Sequence, residues 1–499
     1  MLAWVRAALM AALVGLLAPA AAQAAWMRAE TPRFILYSDG GEGDLRAYAA
    51  RLEGFDALLR FFHGLPAGEL PQRKLPIYLL GDRRDLQRLQ PGLAPGVAGF
   101  YRSSLGDVYG AATVGEDLGE QTLYHEYVHH FMHQHFPSTY PGWLIEGYAE
   151  YLKTAEVNDS RFRVGLWNES RAAALDAGGY PLGDLLTRPA AEIKPGRQRQ
   201  AYYAQAWLLT HYMMGDAARQ AQLAAYVRGL AAGKAPLAAW SEAVGSDLAA
   251  LDRNLKAYQR RTQNRTFERA GAEAVSVEVT RLPEAAGRLL LEDQRLRAGV
   301  PAGEREALVA EVRRRAAAFA GERPAQLTLA RAEVLYGDRA AGEAMLQRLL
   351  EADGRDVEAL RLMGQSRMEA AADDPQRRRE LLAQARSFFG RAYKIEPNHY
   401  QTLYGYARSR SAEPGYPSDN DLNVLRLALQ LAPQVDRLRL NTGRALLRRK
   451  LYPEAATVLW PLANDPHGGA LSRRAQSLMD QIKAGLEITE DSDKEGDDG

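Results

Sequence analysis

Two neighbouring stretches decide how the chain is read: His125-Glu126-Tyr127-Val128-His129, and Pro141-Gly142-Trp143-Leu144-Ile145-Glu146-Gly147-Tyr148-Ala149-Glu150. On a helix, residues four apart lie on one face, so the imidazoles of His125 and His129 can reach one ion. Glu126 sits one residue round from His125, close enough to touch a water beside that ion without being a ligand. A carboxylate placed there accepts the water's proton and later passes it to a leaving amine. Zinc suits this set, because it takes two neutral imidazoles and one carboxylate and keeps a fourth position for water. The five-residue pattern is only suggestive alone, since five of the nine histidines fall between His125 and His135 and a His-rich polar surface has the same composition. The second stretch bears on the choice. Sixteen residues separate His129 from Glu146, enough for a turn over 137–142 that brings a second helix back against the first.

Upstream, Arg33 to Tyr37 reads as a strand, Leu45 to Phe62 as a helix with apolar residues at helical spacing, and Lys74 to Leu80 as a second strand. Gly99 to Thr113 has the pattern of a hairpin turning at Gly106-Asp107, and the helix carrying the histidines begins near Leu118. Downstream, Trp143 to Lys153, Ala201 to Met214, Ala217 to Leu230 and Leu248 to Arg260 read as helices. The first domain is expected to span 25–265, followed by a linker or helical connector over 266–323. Val275 to Leu282 alternates like a short strand that could join either neighbour. From Pro283 the chain is helical and rich in Ala, Leu and Arg.

The first 24 residues have the form of a signal peptide: Arg6, an apolar run from Ala7 to Ala18, Pro19, and small residues around Ala22-Gln23-Ala24. The run is shorter than the roughly 20 residues that cross a membrane, so no stable membrane insertion is expected after cleavage. The Ala- and Arg-rich style points to a bacterial source, and so to a periplasmic or secreted protein. Cysteine is absent, which excludes disulfides, thiol catalysis and thiolate metal sites. Lysine plus arginine (63) nearly balances aspartate plus glutamate (62), so nothing favours nucleic acid as a partner. Residues 487–499 are acidic, lack apolar spacing and read as a disordered tail.

The helix from Trp143 to Glu150 resembles the second zinc segment of the gluzincin metallopeptidases, in which the glutamate of W-L-x-E-G-x-A is the third ligand. The resemblance implies Glu146 as that ligand. It also implies Glu150, four residues on, as the carboxylate that accepts a hydrogen bond from a ligand histidine and orients its ring, with an exchange of roles between the two glutamates as the rival assignment. Residues 26–265 are similar to bacterial peptidase-MA-like domains, on the strength of the opening strand Phe34-Ile35-Leu36-Tyr37, the zinc helix and the Trp-x-x-Glu-Gly-x-Ala-Glu helix. Comparable domains carry Tyr-x-Gln after the zinc segment, which makes Tyr203 the candidate donor to the oxyanion. Two tyrosines beside Trp207 would also serve as core packing. The motif by which gluzincin aminopeptidases hold a free amine is absent.

In the last third, Ala385, Phe389, Ala392 and Pro397 match the small, large, small and proline spacing of tetratricopeptide repeats. The pattern recurs at Leu425, Ala428 and Pro433 and around Ala455, Leu459 and Pro466, with proline steps of 36 and 33 residues. Residues 324–486 therefore resemble such repeats, although the family's tryptophan and first glycine–tyrosine signature are largely missing. The expected fold is an α+β zincin-like peptidase domain, a small N-terminal sheet plus a helical half, followed by an all-α tetratricopeptide-like solenoid. The expected activity is that of an exported zinc (Zn2+) peptidase acting through a metal-activated water. His125, His129 and Glu146 hold the metal, Glu126 is the base, and a peptide or protein is the substrate, while the repeats recruit substrate or a partner protein. The alternative is a non-catalytic periplasmic repeat scaffold whose zinc site is structural or vestigial.

Overall fold

The computed structural model describes residues 25–485 except 95, 115–116, 138–139, 189–191, 246, 270–274 and 466–467. The expected signal segment, 1–24, and the acidic tail, 487–499, lie outside the described residues.

Strand β1 (Met27–Glu30) pairs with β2 (Phe34–Ser38), and helix α1 (Glu42–His63) returns the chain so that β3 (Leu75–Leu80) lies parallel to β2. After α2 (Arg83–Leu89), the hairpin of β4 (Gly99–Ser103) and β5 (Val108–Thr113) places β5 parallel to β3 and leaves β4 at the edge. The helical half follows as α3 (Asp117–His135), α4 (Gly142–Leu152), the short strands β6 (Glu156–Val157) and β7 (Arg161–Val164), α5 (Glu169–Asp176), α6 (Leu182–Thr187) and α7 (Arg197–Met214). Helices α8 (Ala217–Ala231), α9 (Pro236–Val244) and α10 (Leu248–Gln259) complete it.

The chain then rejoins both sheets. Strand β8 (Arg265–Glu268) pairs with β7, and β9 (Glu278–Arg281) pairs antiparallel with β1, giving a six-stranded order β4-β5-β3-β2-β1-β9. On one face of this mixed sheet, Phe34 meets Tyr127 of α3 edge-on at 5.1 Å, and Phe55 of α1 stacks on Tyr124 at 4.1 Å. On the other face, Tyr78, Leu80, Tyr109 and Ala111 pack with Leu86 and Leu89 of α2 and with Leu291 and Ala298 of α11 (Glu284–Ala298). The expected domain end at Arg265 and the expected linker over 266–323 differ from this arrangement. Arg265 opens a paired strand, and the segment beyond it supplies a sheet edge and a cover helix. The reason is burial: β5 is buried at every residue, so both faces of the sheet need an apolar cover, which α2 alone is too short to give.

After α12 (Arg305–Ala316), antiparallel helix pairs follow: α13 (Arg323–Tyr336) with α14 (Arg339–Ala352), and α15 (Val357–Asp373) with α16 (Arg378–Ile395). Next come α17 (Tyr400–Ser409) with α18 (Asp419–Leu431), and α19 (Asp436–Arg448) with α20 (Tyr452–Ala463), closed by α21 (Ala470–Ala484). This array is consistent with tetratricopeptide-like repeats. Ala385, Phe389 and Ala392 are buried on α16, Leu425 and Ala428 on α18, and Ala455 and Leu459 on α20. Pro397 and Pro433 stand between pairs, while Pro466 lies outside the described residues. Glycine does occupy the first helices, as Gly364, Gly405 and Gly443. A Cβ at Gly405 would come 2.5 Å from the Phe389 ring, and one at Gly443 2.5 Å from Leu459. Unequal loops, such as 410–418, hide that spacing in the sequence. Among the described residues, no helix is long and apolar enough to cross a membrane.

Candidate metal centre

Helices α3 and α4 form the site, and small residues decide where they sit. A Cβ on Gly119 would lie 3.1 Å from the carbonyl carbon of Thr113 and nearer still to its oxygen, so the first turn of α3 rests directly on the end of β5. Helix α4 is buried nearly all round, the pattern of a central helix. Its Trp143 packs edge-on against Trp240 of α9 at 6.1 Å. Gly147 marks the crossing of α4 over α7: a Cβ there would lie 2.7 Å from the carbonyl carbon of Ala206 and nearer still to Thr210 Oγ1. The glycine after Glu146 is thus a contact with a helix some sixty residues on, and it sets the depth at which Glu146 is held.

The helices bring His125, His129 and Glu146 together, with their ligand atoms within 4.8 Å of one another. His125 Nε2 is 3.1 Å from His129 Nε2 and 3.3 Å from Glu146 Oε2, and His129 Nε2 is 3.8 Å from the same oxygen. A tetrahedral ion with bonds of about 2.0–2.1 Å has ligand–ligand edges of about 3.3 Å, so these three atoms have the size of one face of such a tetrahedron. Two imidazole nitrogens and one carboxylate oxygen are also a donor set that zinc accepts. It is the one such group among the described residues.

Glu150 takes the other side of His125: its Oε1 is 3.2 Å from Nδ1. This carboxylate is held by Arg171, whose Nε and Nη2 donate to Oε2 and Oε1 at 2.8 and 2.7 Å. Lys153 Nζ at 2.8 Å and Asn168 Nδ2 at 3.2 Å complete the shell. Burial pushes the Glu150 carboxyl up, but hydrogen bonds from Arg171 and His125 outweigh it and hold the group well below the usual carboxylate range. At His125, burial acts to lower the pKa, and hydrogen bonds to Glu146 and Glu150 overcome it, raising the ring to about 10. Two carboxylates that favour a proton this strongly also favour a cation. Arg171, Lys153 and Asn168 had no signal in the sequence. Asn168 caps α5 by accepting from Arg171 N at 3.2 Å, and the bonds from both residues to Glu150 tie this turn to α4.

Glu126 is half-buried on α3, within electrostatic reach of the Tyr101 phenol. Tyr203 on α7 is half-buried, with the Arg171 guanidinium 5.4 Å from its ring centroid. Burial, and then the negative charge of Glu146, raise its phenol above the ordinary range. Tyr202 is fully buried and packs edge-on to Tyr180 at 5.4 Å, so one tyrosine of the pair is core and the other keeps some exposure. The other histidines of α3, and His211, go elsewhere. His130 meets Tyr101 OH at 2.9 Å, and burial lowers it to about 3. The His135 ring lies 4.6 Å from that of Phe131, tilted by 49°, and His133 is exposed. His211 is a core histidine satisfied by Tyr258 OH at 2.8 Å and the Gly165 carbonyl at 2.9 Å.

No family model matches the chain. No curated protein matches it either. Among solved structures, the chain is similar to a thermophilic tetratricopeptide-repeat protein of Thermus thermophilus, at 17% identity and a TM-score of 0.33. That match covers 39% of this chain and 97% of the other.

Proposed function

We propose that the chain is a zinc-dependent hydrolase of peptide bonds, with the ion held by His125, His129 and Glu146. The observation that carries this reading is the triangle of ligand atoms, 3.1, 3.3 and 3.8 Å on its edges, backed by Glu150 on the far nitrogen of His125. When bound, zinc supplies a Lewis acid that polarises a carbonyl and lowers the pKa of water. The chain's own groups supply the rest. Glu126 accepts the proton of the attacking water and returns it to the leaving amine. Glu150, clamped by Arg171, fixes the ring plane and tautomer of His125. Tyr203 donates to the developing oxyanion; with its phenol raised by burial and Glu146, it stays a protonated donor at neutral pH. Strand β4 ends the sheet, and an edge strand can align an extended peptide through backbone hydrogen bonds.

Elemental analysis of purified protein tests the metal. About one zinc per chain is expected, lost with Glu146→Ala and retained, more weakly, with Glu150→Ala. Glu126→Gln is expected to keep the zinc and abolish cleavage of a quenched peptide library. A wild-type chain that takes up no zinc on reconstitution would overturn the proposal and leave the repeat scaffold. Zinc uptake with no cleavage by the wild type would favour a structural site.

A further inference from the structure

The first helices of three successive pairs in the C-terminal array face the N-terminal unit. On α13, Arg331 contacts Asp293 of α11 at 2.9 Å and Glu358 of α15 at 2.9 Å. Arg297 of α11 reaches the same two carboxylates, at 2.7 and 3.2 Å. Arg361 on α15 pairs with Glu358 at 2.7 Å and donates to Gln401 Oε1 on α17. From Gln401 the contacts pass to the hairpin that carries β4. Its Nε2 donates to the carbonyls of Leu105, at 3.0 Å, and Gly106, and Tyr400 OH donates to the carbonyl of Ser104 at 3.1 Å. Arg73 lies 5.6 Å from the Tyr400 ring and pairs with Asp107, which also accepts from Gln294 of α11 at 3.1 Å. The turn has no slack: a Cβ on Gly106 would come 3.1 Å from the carbonyl carbon of Arg297 and nearer to its oxygen.

The middle of β4, in the same hairpin, touches the helix that carries the two histidines. Tyr101 of β4 bonds His130 of α3 at 2.9 Å, one residue beyond His129, and their rings meet edge-on at 5.4 Å. Burial raises the Tyr101 phenol well above its ordinary value, with Arg73 opposing and Tyr400, Glu126 and Asp436 of α19 adding to it, so charges of both halves act on this one hydroxyl.

We propose that the helical array is an internal brace for the metal centre, in which Tyr400 and Gln401 are positioning residues that seat the turn of the β4–β5 hairpin and thereby set where β4 lies beside α3. The inner faces of α13, α15 and α17 are committed within the chain. The proposal deepens the hydrolase reading, but its first test does not depend on it.

The test uses the full chain as purified, carrying Tyr400→Phe with Gln401→Ala. Both changes remove hydrogen bonds to the turn and leave the array's apolar contacts in place. Hydrogen exchange across residues 99–113 is expected to rise roughly tenfold, the size expected for losing such bonds. Zinc per chain should stay unchanged, and KM on a quenched peptide library should rise more than kcat falls. Glu454→Ala breaks the Arg426–Glu454 pair (2.6 Å) within the array and away from the hairpin, so it should move none of these. Wild-type exchange over 99–113 in the double variant would overturn the brace, as would an equal rise with Glu454→Ala. Absence of peptide cleavage by the wild type would instead count against the hydrolase reading, with the exchange result still deciding the brace.

Discussion

Gly147→Ala would place a methyl group where α4 crosses α7, next to Glu146, the proposed carboxylate ligand. The added Cβ would lie 2.7 Å from the carbonyl carbon of Ala206, where an ordinary contact lies at 3.4–4 Å. One helix must therefore move by at least 0.7 Å (3.4 minus 2.7), and more to clear the neighbouring oxygens. The obstacle is backbone at the centre of the domain, so the cost falls at the upper end of overpacking, about 3 kcal/mol. At roughly 2–4 °C per kcal/mol, the melting temperature drops by about 6–12 °C. Metal–ligand distances tolerate only about 0.2 Å, so moving Glu146 with its helix weakens zinc binding at least about tenfold. Thermal unfolding by circular dichroism and a chelator competition at 25 °C read the two effects. Adding Thr210→Ala relieves the hydroxyl but not the Ala206 carbonyl, so only partial recovery is expected. Wild-type stability and zinc affinity in Gly147→Ala, or full rescue by Thr210→Ala, would refute the reasoning that this glycine sets the position of Glu146.

Two further perturbations probe the charges around and behind the site. Arg171→Gln takes away the paired donors at 2.8 and 2.7 Å that hold Glu150, and zinc affinity should fall about 10- to 100-fold with the fold intact. An unchanged chelator titration would show that Glu150 needs no such support. Glu358→Gln leaves Arg297, Arg331 and Arg361 gathered around a neutral group and should destabilise the array by about 3 kcal/mol at neutral pH. Burial acts to raise the Glu358 carboxyl, but those three arginines hold it well below the ordinary 4.5. A depressed folded value means the stabilisation is complete above the unfolded pKa and is lost as pH falls below it. Melting curves of wild type and Glu358→Gln should therefore differ most above about pH 5 and converge on acidification. A gap that stays constant down to pH 3 would contradict the sign.

What could be read from the sequence was local. His125 and His129 are one helical turn apart, Glu146 and Glu150 another, and a helix brings such pairs to one face whatever lies around them. Strands β2 and β3, the β4–β5 hairpin and helices α1, α4, α7 and α8 also carry their patterns within a dozen or so residues. The short pieces β6 to β8, α2, α5, α6 and α9 escaped that reading, because elements of two to nine residues contain too few repeats of any period. Arg171 was illegible for another reason: an arginine in a polar turn looks like solvent-facing surface until the turn is folded against α4.

By itself, then, the sequence determined the donor atoms of the candidate site, their order on two helices, and the division into a mixed α/β part and a helical array. Only the tertiary structure decided which glutamate lies beside both imidazole Nε2 atoms and which lies behind one of them, since Glu146 and Glu150 share a helix face and differ only in depth. It alone decided that β9 returns 250 residues later to close the sheet against β1, and that Tyr400 and Gln401 grip a hairpin turn nearly 300 residues upstream. Contacts at that separation depend on shape and burial summed over the whole chain, and leave no period in the residues that make them.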